Sequence, residues 1–275
     1  MPLDASPRFQ MLELGTISST NTFLKDFRPP HMADVTLVTA EWQTAGRGQT
    51  GHSWESDEGA NLLFSLLTMP TMLPVSMVFL LSEAIVLSIR DGILWALKNY
   101  GVTPDVASAS DVTVKWPNDI YVGHKKIAGI LIENEFVGST LTRSIIGCGV
   151  NVNQTEFGFV ENSDDETAPP ISVAMLTGRP VERSLILDVI IDAFRRRYDA
   201  LGAAVMGEGQ LRLHEEYLAN LYRRQGMYTF ADERGLMQAK IVTVDLDGHL
   251  VLSDSEGVVR RYAFKEVRYV TRRSR

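Results

Sequence analysis

The hydrophobic pattern divides the chain into a long first part that mixes strands with helices and a short last part built of strands. Residues 9–16 open with an apolar stretch, and Ser18-Ser19-Thr20-Asn21 supplies the residue types that cap helix N-termini. Residues 35–42 and 62–68 read as strands, separated by a glycine-rich loop at 46–51. Residues 74–100 predict a long helix stopped by Gly101. Residues 112–135 predict a hairpin turning on Gly123, and 143–152 a further strand. Two helices are predicted at 184–201, with Leu185, Val189, Ile190 and Phe194 on one face, and at 208–221. After Tyr222 five short alternating strands follow, two of their turns punctuated by Asp247-Gly248 and Glu256-Gly257. They predict a small, strongly bent barrel. The expected division is therefore 1–221 and 222–275.

Composition narrows the class. At 275 residues, 45% hydrophobic and 22% charged, the chain has ordinary globular composition. A net charge of −7 gives no general affinity for nucleic acid, and none is expected. The charge is uneven: residues 222–275 carry 11 Lys and Arg against 7 Asp and Glu. The single cysteine, Cys148, rules out an intrachain disulfide and fits a reducing compartment. Its Gly-flanked apolar setting reads as core. The N-terminus lacks a signal-peptide pattern, and Glu83, Arg90 and Asp91 interrupt the most apolar helix. A cytoplasmic location without membrane contact is expected. Residues 154–170, rich in Asp and Glu, predict a mobile loop. The five histidines show no metal spacing. Arg195-Arg196-Arg197 reads as a solvated helix face.

Two segments carry candidate chemistry. Lys115-Trp116-Pro117-Asn118-Asp119 interrupts an apolar run, and the returning strand carries Lys126 and Gly129. Burying such groups unpaired is costly, so the hairpin reads as a polar site for an anionic ligand. In the glycine-rich loop, Gly46 and Gly48 permit close backbone approach, Arg47 offers a fork for carboxylate or phosphate, and Trp54 a stacking face. The loop is neither a Rossmann fingerprint nor a P-loop.

Read together, these segments resemble the biotin protein ligases. The resemblance rests on Ser19-Thr20-Asn21, Gln43 with Gly46-Arg47-Gly48, Trp54 with Gly59-Ala60-Asn61-Leu62, Lys115-Trp116-Pro117-Asn118-Asp119, Lys126-Ile127-Ala128-Gly129, and Gly147-Cys148-Gly149-Val150-Asn151-Val152-Asn153. They run in the family's order over roughly residues 18–153. The resemblance implies an α+β fold: a class II synthetase-like mixed-sheet catalytic domain with a small C-terminal SH3-like β-barrel. It implies activation of biotin by ATP to biotinyl-5'-AMP, then transfer to a lysine of a biotin carboxyl carrier protein. Such chemistry needs no enzyme nucleophile; it needs anions brought together and charge stabilised at phosphorus.

By the same resemblance, Ser19, Thr20, Asn21 and Gln43 bind biotin, Gly46, Arg47 and Gly48 close over it, and Gly129 lines the pocket. Lys126 bridges the biotin carboxylate and the phosphate. Trp54, Asn118 and Asn151 contact adenine or ribose, and Lys115 faces the ATP phosphates. Asp119 either binds Mg²⁺ or takes the acceptor lysine's proton. Arg47, Lys115, Lys126 and Asp119 form the expected catalytic set. Trp116 reads as packing. Gln49 and His52 stand where many members carry more basic residues. The residues before Ser18 are too few for the DNA-binding domain of some members. Monomer and homodimer both remain open. A lipoate ligase and a non-catalytic biotin-binding protein are the alternatives.

Overall fold

The computed structural model describes residues 9–28, 33–49, 53–71, 73–102, 111–158, 168–201 and 207–270. The strands are β1 (Phe9–Ile17), β2 (Val35–Gln43), β3 (Leu62–Thr68), β4 (Val112–Lys115), β5 (Asp119–Val122), β6 (Lys125–Val137) and β7 (Thr140–Val150). The remaining strands are β8 (Tyr228–Asp232), β9 (Gly235–Val244), β10 (Leu250–Asp254), β11 (Val259–Tyr262) and β12 (Arg268–Tyr269). The helices are α1 (Thr20–Asp26), α2 (Phe79–Tyr100), α3 (Val173–Thr177), α4 (Arg183–Ala200) and α5 (Glu208–Ala219). The first seven strands form one mixed sheet ordered β1-β2-β3-β7-β6-β5-β4, in which only β1 and β2 run parallel. The last five form a separate antiparallel sheet ordered β11-β10-β9-β8-β12. The fold is thus mixed α+β with a β-rich C-terminal part, as expected.

The seven-stranded sheet buries both faces differently. One face carries Leu37, Phe64, Leu66, Ile130, Ile146 and Cys148 into the main core with α2 and α4. Cys148 is buried there, and burial pushes its thiol pKa well up, as its core reading anticipates. The two helices approach closely because Gly92 has no side chain; a Cβ there would lie 2.4 Å from Ile190 Cγ1. The opposite face is covered at one end by α1, whose Leu24 packs on Val38, Leu67 and Ile145. The Arg143 guanidinium donates to the carbonyls of Leu24, Lys25 and Phe27, satisfying the C-terminal end of α1. The other end of this face is left for ligand.

Several expectations need correction. The predicted single hairpin over 112–135 is a three-stranded meander with two turns. Pro117 has no N–H to give a ladder, so Trp116-Pro117-Asn118 forms a turn of its own, and Lys115 pairs with Asp119 across it. Gly123, at φ 59, makes the second turn. In α4 the buried face is Ile186, Ile190, Ala193 and Phe194, while Leu185 is exposed. Residues 186, 190, 193 and 194 share a stripe at helical spacing, whereas Leu185 lies one step of rotation away. Arg197 is not solvated: it bridges Asp91 of α2 at 2.7 Å and Glu216 of α5 at 2.9 Å. Residues 159–167 of the acidic loop lie outside the described residues.

The C-terminal sheet shares the main core, with Phe230, Ile241, Leu250 and Tyr269 in the same apolar cluster as the helices. Gly248, at φ 91, brings the β9–β10 turn against Phe79; a Cβ there would lie 2.7 Å from that ring. Trp116, 4% exposed, donates from Nε1 to the Gly248 carbonyl at 2.9 Å and meets Phe264 edge-on. Its packing role is as expected. Trp116→Phe removes that donor and leaves the carbonyl unpaired, so stability should fall by about 1–3 kcal/mol. A urea unfolding midpoint unchanged in the variant would contradict this anchor.

Beside this contact, α2 buries Glu83 completely, with Oε1 2.7 Å from His214 Nδ1 of α5. Burial pushes the Glu83 carboxyl up, partly offset by His214. The Glu83 hydrogen bond raises the His214 pKa above 6.5, against the opposing effect of burial, with Val244 and Asp245 adding to it. Both groups hold their proton more tightly folded than unfolded. The His214 stabilisation is full below its unfolded value near 6.5 and is lost as pH rises through its folded value, whereas that of Glu83 is full only below its own unfolded value of 4.5 and is lost as pH rises through its raised folded value. The melting temperature should therefore fall as pH rises above 6.5, and His214→Gln should flatten that slope. An unchanged slope in the variant would show that another group titrates.

Candidate active site

The ligand face is shaped by absent side chains. Across the sheet, Val38, Ser65, Gly147 and Leu131 lie in one register row, and Ala40, Leu63, Gly149 and Gly129 in the row two residues along. Gly129, Gly147 and Gly149 put bare backbone at the centre of the face. The space is taken at one end by Asn21, which a Cβ on Gly147 would meet at 2.1 Å, and at the other by the Trp54 indole, 2.2 Å from a Cβ on Gly149. The resulting cleft is lined by Ser19, Thr20, Asn21, Gln43, Arg47, Gly48, Gln49, Trp54, Asp119, Lys126 and Gly129, with Gly147 to Gly149 as floor. Ten of these are residues the sequence singled out, drawn from five separate segments.

The polar end is built on the first turn of α1. Ser19 is the helix N-cap, its hydroxyl accepting from the Thr22 amide, so the capping reading of this residue holds together with its place in the cleft. The Thr20 amide and hydroxyl both donate to Gln43 Oε1, at 2.8 and 3.1 Å. The buried Ser65 hydroxyl lies 2.7 Å from Thr20 Oγ1 and 2.6 Å from Asn21 Oδ1, its one proton serving two acceptors. Ser65 was missed in the sequence. Its signal was present: it is a polar residue in the middle of a fully buried strand.

At the charged end, Lys126 Nζ lies 2.9 Å from Asp119 Oδ2 and 5.9 Å from the Trp54 ring centre. Trp54 Nε1 is buried without a hydrogen-bond partner among the described residues. The glycine-rich loop folds back as a small hairpin in which the Trp54 amide donates to the Gly46 carbonyl at 3.0 Å and Arg47 bridges to Ser53. Gly46 is required there, because a Cβ would lie 2.2 Å from the Trp54 carbonyl oxygen. Arg47 Nη1 and Nη2 donate to the two oxygens of Glu133, at 3.1 and 2.9 Å. Burial raises the Glu133 carboxyl, but hydrogen bonds from Lys25, Asn21 and Arg47 outweigh it and hold the pKa below its ordinary value. Gln49 lines the cleft; His52 lies outside the described residues.

Besides Gly46, which shapes the loop without lining the cleft, three predicted residues stand apart from it. Lys115 Nζ lies 3.2 Å from Tyr121 Oη, over the rings of Tyr121 and Tyr269, facing the C-terminal sheet. Asn118, 8% exposed in the turn, has a buried Oδ1 that no described donor reaches. Asn151 ties the end of β7 to the segment before α3, its Nδ2 donating to the Ile171 carbonyl at 3.1 Å. Tyr217 Oη donates to the Pro117 carbonyl at 2.8 Å and steadies the turn. No group of three or more acidic, histidine or cysteine residues with metal-binding geometry exists among the described residues. Asp119 is the one carboxylate among the described residues that line the cleft, and Lys126 already engages it. No helix among them is long and apolar enough to cross a membrane.

Comparison with known proteins agrees with this geometry. The pattern of the Biotin/lipoate A/B protein ligase family matches residues 14–151. The chain is 28% identical over 247 residues to the bifunctional ligase/repressor BirA of Bacillus spizizenii, covering 90% of this chain and 70% of that protein. It is 29% identical over 236 residues to the biotin–[acetyl-CoA-carboxylase] ligase of Paracoccus denitrificans, covering 83% and 88% of the two chains. Among solved structures, the biotin protein ligase of Aquifex aeolicus in complex with biotin and ATP superposes with a TM-score of 0.71 at 22% identity, over 94% of this chain and 99% of that one. That likeness shows the shared fold.

Proposed function

The chain belongs to the Biotin/lipoate A/B protein ligase family, and we propose that it activates biotin with ATP and transfers it to a lysine of a biotin carboxyl carrier protein. The observation that carries this reading is a cleft with a bare glycine floor between two unlike ends. One end offers hydroxyl, amide and backbone groups suited to a polar ring. The other offers Lys126 for a carboxylate beside a phosphate, while Arg47, expected there, is held by Glu133 beside Asn21 at the polar end. The rows that face Asn21 and Trp54 are two residues apart, about 7 Å along a strand, a span for a short apolar chain. Relatives bearing the biotin ligase name, and one solved with biotin and ATP, support the same choice over lipoate.

In this reading Ser19, Thr20 and Gln43 hold the ureido ring, with Asn21 and Ser65 fixing Thr20 from behind. The Trp54 indole, which lies across Gly129 and Gly149, shifts to admit biotin and offers its face to adenine. The unpaired Asn118 Oδ1 is an acceptor for a nucleotide hydroxyl or amine. Lys115 reaches the ATP phosphates by leaving its seat between Tyr121 and Tyr269. Asn151 acts through backbone position. Asp119, the carboxylate that lines the cleft among the described residues, would hold Mg²⁺ together with the ATP phosphates, whose charge the ion would screen.

The chemistry follows from the charges. A carboxylate oxygen attacks the α-phosphate while pyrophosphate leaves, and negative charge grows beside Lys126. A carrier lysine then attacks the acyl carbon of the adenylate, and AMP departs. Asp119, paired to Lys126, is placed to receive the amine's proton once the adenylate draws Lys126 toward the phosphate. We also place residues 222–275 as a separate unit, docked through Trp116 and Phe79, and the protein in the cytoplasm. Labelled biotin, ATP and a carrier domain decide the reading. Label on the carrier lysine supports it; transfer of lipoate alone, or binding without transfer, overturns it.

A further inference from the structure

A residue outside the cleft lining is tied to the cation of its glycine-rich loop. Glu133 lies on β6, two residues beyond Leu131 and four beyond Gly129, on the ligand face of the sheet. Its Oε1 accepts from Lys25 Nζ at 2.8 Å and Arg47 Nη2 at 2.9 Å. Its Oε2 accepts from Asn21 Nδ2 at 3.0 Å and Arg47 Nη1 at 3.1 Å. A carboxylate has about four acceptor sites, and all four are used. Glu133 therefore has no capacity left to act as a base or a metal ligand. It is a joint between α1, β6 and the glycine-rich loop.

Arg47 keeps its own capacity. A guanidinium carries five N–H donors, and the Glu133 pair uses two. The remaining three can meet acceptor groups of a ligand at the polar end of the cleft while the fork stays anchored. Without the anchor, the long Arg47 side chain would lose rotamer entropy on every binding event. The same carboxylate reaches the polar end of the cleft, because Asn21 passes from Glu133 to Ser65, and Ser65 to Thr20 and Gln43.

We propose that Glu133 is a positioning residue that fixes Arg47 over the cleft and thereby sets how long the acyl-adenylate stays bound. The inference rests on the adenylation reading above. Glu133→Gln keeps the shape but removes the charge and turns an amide toward the guanidinium. Adenylate release from the full chain, measured by pre-loading with labelled biotin and ATP and chasing with unlabelled biotin, should quicken on the order of tenfold, the scale of one charge-assisted hydrogen bond. The melting temperature serves as the folding control. In an Arg47→Ala background, Glu133→Gln should add little, since it acts through Arg47. Glu133→Asp should recover part of the retention.

Unchanged release in Glu133→Gln overturns the proposal, as does an equal quickening with and without Arg47. If the unsubstituted chain forms no adenylate, the adenylation reading fails instead, so the two failures are distinguishable.

Discussion

Lys126→Ala should lower the rate of biotinyl-adenylate formation by roughly 10²–10³-fold, the cost of removing one preorganised charge-stabilising donor. The argument starts from the approach of two anions. A carboxylate must come within bonding distance of a phosphate, and repulsion between unit charges at 4 Å is about 4 kcal/mol at the effective dielectric of a protein surface. Lys126 stands beside Asp119 at the charged end, with Gly129 leaving room for its ammonium; a Cβ on that glycine would lie 3.0 Å from Nζ. Removing the ammonium also strips Asp119 of its partner and leaves a bare carboxylate facing the incoming anions. Lys126→Ala should therefore be worse than the double variant with Asp119→Asn, which should recover about tenfold of the loss, the weight of one unfavourable charge interaction. Single-turnover adenylate formation reads both. Lys126 is half-exposed and outside the core, so circular dichroism should show a native fold. A native rate in Lys126→Ala would remove the residue from the chemistry.

Gly147→Ala should weaken biotin binding by roughly 100-fold, the scale expected when a positioned group moves by about 1 Å. The added methyl would lie 2.1 Å from Asn21 Oδ1 and 2.8 Å from its Cγ. Asn21 cannot retreat, since Ser65 holds its oxygen at 2.6 Å and Glu133 its nitrogen at 3.0 Å, and the residue is 3% exposed. Either β7 or the first turn of α1 must yield, and Ser19 and Thr20 move with it. Stability should fall by about 1–3 kcal/mol through overpacking. Calorimetric titration with biotin separates the two effects, because a purely structural loss would leave the affinity of the folded fraction intact. Native affinity in Gly147→Ala would mean that α1 does not shape the pocket.

Much of this was legible in the sequence, and the failures have a common cause. The strands at 35–42, 62–68 and 143–152, the helices at 74–100 and 208–221, and the five C-terminal strands were recovered because each signal is periodic and local. Thr20, Gln43, Arg47, Lys126 and Gly129 were found because the motifs that carry them are distinctive. Ser65, Glu133 and Gly147 were not assigned roles, because their meaning depends on register across neighbouring strands, which places Ser65 opposite Gly147 and Gly147 opposite Leu131. No single segment contains that information. Helix α3, five residues long, is too short to show a helical period. The turn at Pro117 was read as part of a strand, although its missing N–H argued otherwise. Lys115 shows the limit of a motif: its position in the chain is shared with Asp119 across one turn, yet its side chain faces Tyr121 and Tyr269, a direction set by the C-terminal sheet.

The account stands or falls on the first half-reaction. The purified chain, incubated with ATP, labelled pyrophosphate and Mg²⁺, should exchange label into ATP only when biotin is present. Lipoate at the same concentration should support little exchange, and Lys126→Ala should cut the signal with biotin by roughly 10²–10³-fold. Exchange that lipoate drives and biotin does not, or no exchange with either acid in a folded protein, would contradict the assignment of this cleft to biotin activation.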